Sequence, residues 1–300
     1  MRNNYAFERR CALVSCPGRR TFWPRLRDTG TFLHGKYYCR PECLKRTLAG
    51  EISRLLAMNP GVLPPNRVPL GLLMMARGKL THLEVRAALE IQRRARYGKI
   101  GEWFEKLGFA TEEQVTAALA LQWGCPVVSS FDLAAVEAPG SIPLPILEAF
   151  QMLPVNYTVA TKTLYVAFGE RVDHAALYTI DRILDCRTQP CVGRRKAIAR
   201  QLDSMRQMSR PSDIEFVTGD LNEMARITGS YISRLGPQTV GLGRLGRYIW
   251  LRMKARSGVT NLLFSVQSSS TLAQAAGVSR PARPVVATAL PSRSDADLNA

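Results

Sequence analysis

The sequence predicts an α+β multidomain protein: a small cysteine-rich module, a helical tandem-repeat subdomain joined to a small α/β subdomain, and a C-terminal α/β appendix. Three observations predict it. Four of the seven cysteines lie between Cys11 and Cys43. A pattern of 23 residues recurs at an offset of 30. Beyond it, short apolar runs of strand character alternate with segments of helical period. The length of 300 residues suits about two domains. A hydrophobic content of 46% is that of a globular chain, which excludes collagen-like, wholly disordered and coiled-coil architectures.

No run of some 18 apolar residues occurs, so no membrane-spanning helix and no membrane insertion are expected. The start, MRNNYAFERRC, lacks the apolar core and cleavage site of a secretory leader. A cytoplasmic protein is the expectation. The formal net charge is +17, and residues 1–60 carry 12 basic against 4 acidic side chains. Such a surplus favours anionic partners such as nucleic acid, a phosphate-rich ligand or an acidic protein surface. A basic surface also arises without any of these.

The module at 1–57 is built around Cys11, Cys16, Cys39 and Cys43. A reducing compartment disfavours disulfides, so two close pairs of thiols point to a metal. Zn2+ takes four thiolates in a tetrahedron, and two pairs can clamp it from opposite sides. Pro41 and Glu42 read as the opening of a helix, which puts Cys43 in a first turn whose amides favour a thiolate. The stretch Tyr38-Cys39-Arg40-Pro41-Glu42-Cys43 resembles the second half of treble-clef and zinc-ribbon modules, with Cys-x4-Cys and Cys-x3-Cys in place of the commoner Cys-x2-Cys. A structural Zn2+ is the expected cofactor. The alternatives are a small core of reduced cysteines, or a site in which His34 replaces one ligand. Cys125, Cys186 and Cys191 read as small buried residues.

The repeat lies at 69–122. Residues 70–92 and 100–122 share eight of 23 positions: Gly71/Gly101, Gly78/Gly108, Thr81/Thr111, Val85/Val115, Ala87/Ala117, Ala88/Ala118, Leu89/Leu119 and Gln92/Gln122. Each copy reads as a short apolar helix ended by a left-handed glycine, then a threonine capping a second helix. In the second copy Gln114 completes a capping box with Thr111. Gly71 and Gly101 fall inside the first helices, where glycine costs about 1 kcal/mol relative to alanine. That cost, taken twice, marks a close backbone approach by another helix or by a ligand.

Over residues 66–205 these features resemble the MshEN domain, the N-terminal domain of type II secretion and type IV pilus assembly ATPases and of related bacterial regulators. The resemblance rests on the doubled Leu-Gly, apolar pair, Gly, apolar, Thr and Gln pattern and on the exit Trp123-Gly124-Cys125-Pro126. It continues through Ile142–Phe150, a strand pair at 152–159 and 163–168, a helix at 173–184, a strand near 188–192 and a last helix at 196–205. It implies an α/β part at 123–205 and binding of cyclic di-GMP by the two motifs. The residues it nominates are Leu70, Gly71, Met74, Met75, Gly78, Leu80 and Gln92 in the first copy. In the second they are Lys99, Ile100, Gly101, Phe104, Gly108 and Gln122. The family's arginine before Leu-Gly is here Pro69 and Lys99, and Glu105 stands opposite Met75. It also implies a partner protein in secretion or pilus machinery.

The ATPase attached to this domain in such proteins has no counterpart, since no Gly-x4-Gly-Lys-Ser/Thr occurs. Gly241-Leu242-Gly243-Arg244-Leu245-Gly246 fits a dinucleotide fingerprint in letters only, because the next residues, 247–253, read as a strand rather than a helix. Residues 213–266 read as a strand, a helix opened by Asp220, and two strands around a hairpin at 255–258. Residues 267–300 are rich in Ser, Ala, Pro and Thr and are expected to be disordered. No nucleophile elbow or paired catalytic group is visible, and Asp181 and Asp185 read as a solvated helix face. The leading expectation is a non-catalytic cyclic di-GMP effector or adaptor. The alternatives are a pure protein-interaction module and a nucleic-acid binder using the basic module.

Overall fold

The run Tyr248-Ile249-Trp250-Leu251-Arg252-Met253 is apolar at five of six positions, which suits a strand covered on both faces. The computed structural model of the chain describes residues 10–17, 30–58, 67–129, 142–207 and 213–266. It places this run in β9 (Tyr248–Ala255), between the antiparallel neighbours β8 (Thr239–Leu245) and β10 (Gly258–Ser265). Beyond β10 lies β7 (Asp213–Val217), and beyond β8 lie β1 (Thr31–Leu33) and β2 (Lys36–Tyr38). β1 joins β8 in parallel, with Phe32 opposite Thr239, and the Thr31 hydroxyl donates to the Pro237 carbonyl at 2.6 Å.

The cysteine module and the C-terminal appendix, separate in the sequence reading, therefore share one six-stranded sheet. They also share a core. Leu44, Leu48 and Ile52 of α1 (Pro41–Ala57) and Met224 and Ile232 of α9 (Leu221–Leu235) pack with Leu242, Ile249, Leu251, Leu262 and Phe264. The physical reason is size. Two three-residue strands and one helix offer an apolar face that so short a module cannot bury alone.

Leu245, Tyr248, Trp250 and Leu263 belong to a second core, with α7 (His174–Leu184) and a four-stranded sheet. That sheet runs β3 (Val127–Val128), β6 (Arg187–Gly193), β5 (Thr163–Phe168) and β4 (Met152–Thr158). β5, α7 and β6 form a parallel crossover unit, and α7 contacts both β6 and β8. The approach of α7 to β8 explains the glycines there. A Cβ on Gly241 would lie 3.0 Å from the Ile183 carbonyl oxygen, and one on Gly243 2.4 Å from Thr179 Cγ2. The fingerprint-like sequence is thus a strand stripped of side chains where a helix crosses it, and no phosphate turn forms. α6 (Leu144–Phe150) and α8 (Arg195–Gln207) pack on one another and on β4.

The repeat folds as α2 (Leu70–Ala76), α3 (His82–Ala95), α4 (Ile100–Lys106) and α5 (Glu112–Trp123). Gly78 and Gly108 take φ of 64° and 72° after the first helix of each copy. Both threonines close capping boxes, Thr111 with Gln114 and also Thr81 with Glu84, a pair the sequence reading passed over. Thr81→Ala and Thr111→Ala are each expected to destabilise by about 1 kcal/mol, and by similar amounts, in urea unfolding. α5 carries the unit onto β3 and β6. From β4 to α8 every element lies within two residues of its expected place. Among the described residues no helix is long and apolar enough to cross a membrane. The expected disordered tail at 267–300 lies outside the described residues.

Candidate metal centre and candidate ligand face

Cys11 and Cys16 lie on the segment before β1, which is held to the hairpin by the Ala12 amide donating to the Tyr37 carbonyl at 2.8 Å. Cys39 precedes α1, and Pro41 at its first position brings Cys43 into the first turn. The four sulfur atoms all lie within 4.8 Å of one another, with Cys16 to Cys39 at 3.5 Å and Cys16 to Cys43 at 3.6 Å. Tetrahedral Zn–S bonds of about 2.3 Å would set sulfur atoms about 3.8 Å apart. All four are free thiols, three buried and Cys39 half-buried. The donor set therefore fits a closed tetrahedral metal site.

Burial, and then the hydrogen-bonded Cys16, push the Cys39 thiol up to about 11. The same two causes push Cys43 higher still. A divalent cation is what would hold these crowded thiols as thiolates. His34 is not a competing ligand. Its Nε2 accepts from the Leu242 amide at 3.4 Å, which pins the β1–β2 turn to β8. Asp181 accepts from the Thr188 amide at 2.7 Å, a structural tie rather than half of a carboxylate pair. Of the later cysteines, Cys191 is buried as expected, while Cys125 and Cys186 are half-buried.

The residues nominated for a nucleotide fall into three groups. Leu70, Met74, Leu80 and Phe104 point inward and form the core of the repeat unit with Val85, Trp103 and Val115. Gly71 and Gly101 are covered too. A Cβ on Gly71 would lie 3.0 Å from Val85 Cγ1, and one on Gly101 2.9 Å from Val115 Cγ1. The close approach marked by the paired glycines is thus that of each copy's own second helix. The space over both glycines is filled by the chain's own side chains, because the helices of the repeat need those positions for a core.

The second group is polar and tied within the fold. The Gln92 side chain donates to the Gly98 carbonyl at 2.9 Å, and Gln122 to the Val68 carbonyl at 2.7 Å. Each glutamine thus fastens the residue two positions before the opposite copy's Leu-Gly or Ile-Gly. Lys99 is ion-paired with Glu170. Burial, with Arg171 and Arg195 nearby, pulls its ammonium below the usual lysine range. Arg67, two residues from the family's arginine position, lies 3.8 Å over the Trp123 ring and donates to the Gln122 carbonyl at 2.6 Å. In the third group, Met75 and Ile100 are half-buried against the core of the unit, and Gly78 and Gly108 are exposed.

Sequence reasoning missed the anchorage of the second copy to α8. Arg195 reaches Glu102 at 3.0 Å and Glu105 at 3.8 Å, and Lys196 reaches Glu105 at 3.7 Å. The Lys196 amide donates to Glu112 at 2.8 Å, and Arg194 pairs with Glu113 at 3.2 Å. The density of acidic residues at 102–113 was the available signal.

No protein-family model and no curated protein matches the chain. Among solved structures it is similar to MshE solved with cdg, at 22% identity and a TM-score of 0.38, over 46% of this chain and 99% of that one. It is also similar to the N-terminal domain of XpsE in two crystal forms. One is 18% identical with a TM-score of 0.34, over 45% of this chain and 91% of that one. The other is 19% identical with a TM-score of 0.26, over 43% and 89%.

Proposed function

We propose that the chain is a non-catalytic adaptor of secretion- or pilus-type machinery, in which a platform stapled by a structural Zn2+ presents a doubled helical unit to a protein partner. One observation carries the reading. The polar groups that the sequence resemblance would give to a nucleotide already have partners within the chain, at its surface: Gln92 and Gln122 on backbone carbonyls, and Lys99 on Glu170. A phosphate at the second copy would have to displace Lys99 from Glu170 and lie close to Glu102, with Arg171 and Arg195 as the neighbouring cations. At the first copy Pro69 supplies neither charge nor N–H donor. Titration calorimetry with cyclic di-GMP tests this directly. No saturable heat is expected into the high micromolar range. Saturable heat that Lys99→Ala abolishes would instead support a cyclic di-GMP effector, the reading that the doubled motif itself favours.

A further inference from the structure

The 30-residue offset allows the outer surface of one copy to be compared with that of the other, position by position. In the second copy, Glu102, Glu105, Glu112 and Glu113 receive the start of α8, through Arg194, Arg195 and Lys196. The equivalent positions of the first copy hold Leu72, Met75, His82 and Leu83. A surface that is acidic and occupied in one copy is, His82 apart, apolar and open in the other. Leu72 is 52% exposed and Leu83 74% exposed. Leu72, Met75, Val85 and Leu89 floor an open groove of about 490 Å3, with Arg86 and Arg93 at its edge.

Two arginines, Arg86 and Arg93, and one carboxylate, Glu90, line the groove. Neither Arg86 nor Arg93 has an ion-pair partner among the described residues, whereas Glu90 is held by Arg94 at 2.6 Å. Glu84 is engaged in the Thr81 capping box. An apolar floor with unpaired guanidinium groups beside it suits a helix that carries apolar side chains on one stripe and carboxylates next to it. We propose that this groove docks an acidic amphipathic helix of a partner protein, in the place that the start of α8 takes on the second copy. The inference rests on the adaptor reading, but the two fail separately: nucleotide heat overturns the adaptor reading and leaves the groove measurement standing.

The test is fluorescence anisotropy of the full-length chain with a labelled synthetic helix of about 18 residues, long enough to be stable alone, made of Leu, Ala and Glu. A lysine counterpart and a scrambled peptide of the same composition complete the set. The acidic amphipathic helix is expected to bind at least tenfold more tightly than either. Leu72→Glu or Met75→Glu should weaken it at least tenfold, and Arg86→Glu with Arg93→Glu should reverse the preference toward the lysine peptide. Leu72→Asn serves as a milder companion, and circular dichroism confirms that each variant is folded. Equal binding of the scrambled peptide would reduce the effect to net charge and overturn the proposal. So would binding indifferent to all of these substitutions. Self-association of the chain that Leu72→Glu abolishes would assign the groove to a second copy instead, and equally overturn it.

Discussion

Cys43→Ser is expected to lower the thermal midpoint by about 10 °C, and chelation of the unaltered chain should do the same. The first turn of α1 carries both Cys43 of the four-thiol cluster and the start of the apolar face Leu44, Leu48 and Ile52 that completes a core with α9 and β8–β10. Losing the metal leaves three thiols within a few ångströms and nothing to bind them, so α1 loses its anchor. Structural zinc in small modules is worth on the order of 10 kcal/mol or more, but here the shared core holds part of the hairpin in place. A loss of about 4 kcal/mol is therefore expected, and at roughly 2–4 °C per kcal/mol for a chain this size it corresponds to the stated shift. Metal analysis should give one zinc per unaltered chain and none for the variant. An unchanged midpoint in a metal-free sample would show the four thiols to be ordinary core residues.

Gly243→Val is expected to cost on the order of 3 kcal/mol and to lower the midpoint by about 8 °C. Its new Cβ alone would lie 2.4 Å from Thr179 Cγ2 and 3.1 Å from Ile183 Cδ1, between β8 and α7. The cause can be separated from strand propensity by a double-mutant cycle with the smaller change Gly243→Ala. Thr179→Ser removes the colliding methyl and keeps the hydroxyl that donates to the Ala175 carbonyl at 3.0 Å. In that background most of the Gly243→Ala penalty should disappear in urea unfolding. A penalty unchanged by Thr179→Ser would mean that α7 does not lie against β8 as described.

What the sequence revealed and what it hid divide along sequence separation. Thr81, Thr111, Gly78 and Gly108 act on their own turn, and each does in the structure what its residue type suggests. The alternation from β4 to α8 was equally legible. Gly71 and Gly101 signalled a close approach without saying to what, and only packing shows that Val85 and Val115 fill the space. The two readings of those glycines are indistinguishable in a linear pattern, because a helix and a flat ligand both require a missing Cβ. The ion pairs of Glu102, Glu105, Glu112 and Glu113 with Arg194–Lys196 join residues 81 to 93 positions apart. No local signal links them. The same holds for β1 on β8, where three residues complete a sheet begun far along the chain.

That last pairing sets a constraint on biosynthesis. Thr31 and Pro237 are 206 residues apart and meet in one hydrogen bond beside the β1–β8 ladder. At roughly 5–20 residues per second, a ribosome needs ~10–40 s to make that span. Throughout that interval the first hairpin and the greasy side of its helix have no strand to rest on. The nascent polypeptide therefore carries that apolar side uncovered until its closing strands emerge from the exit tunnel.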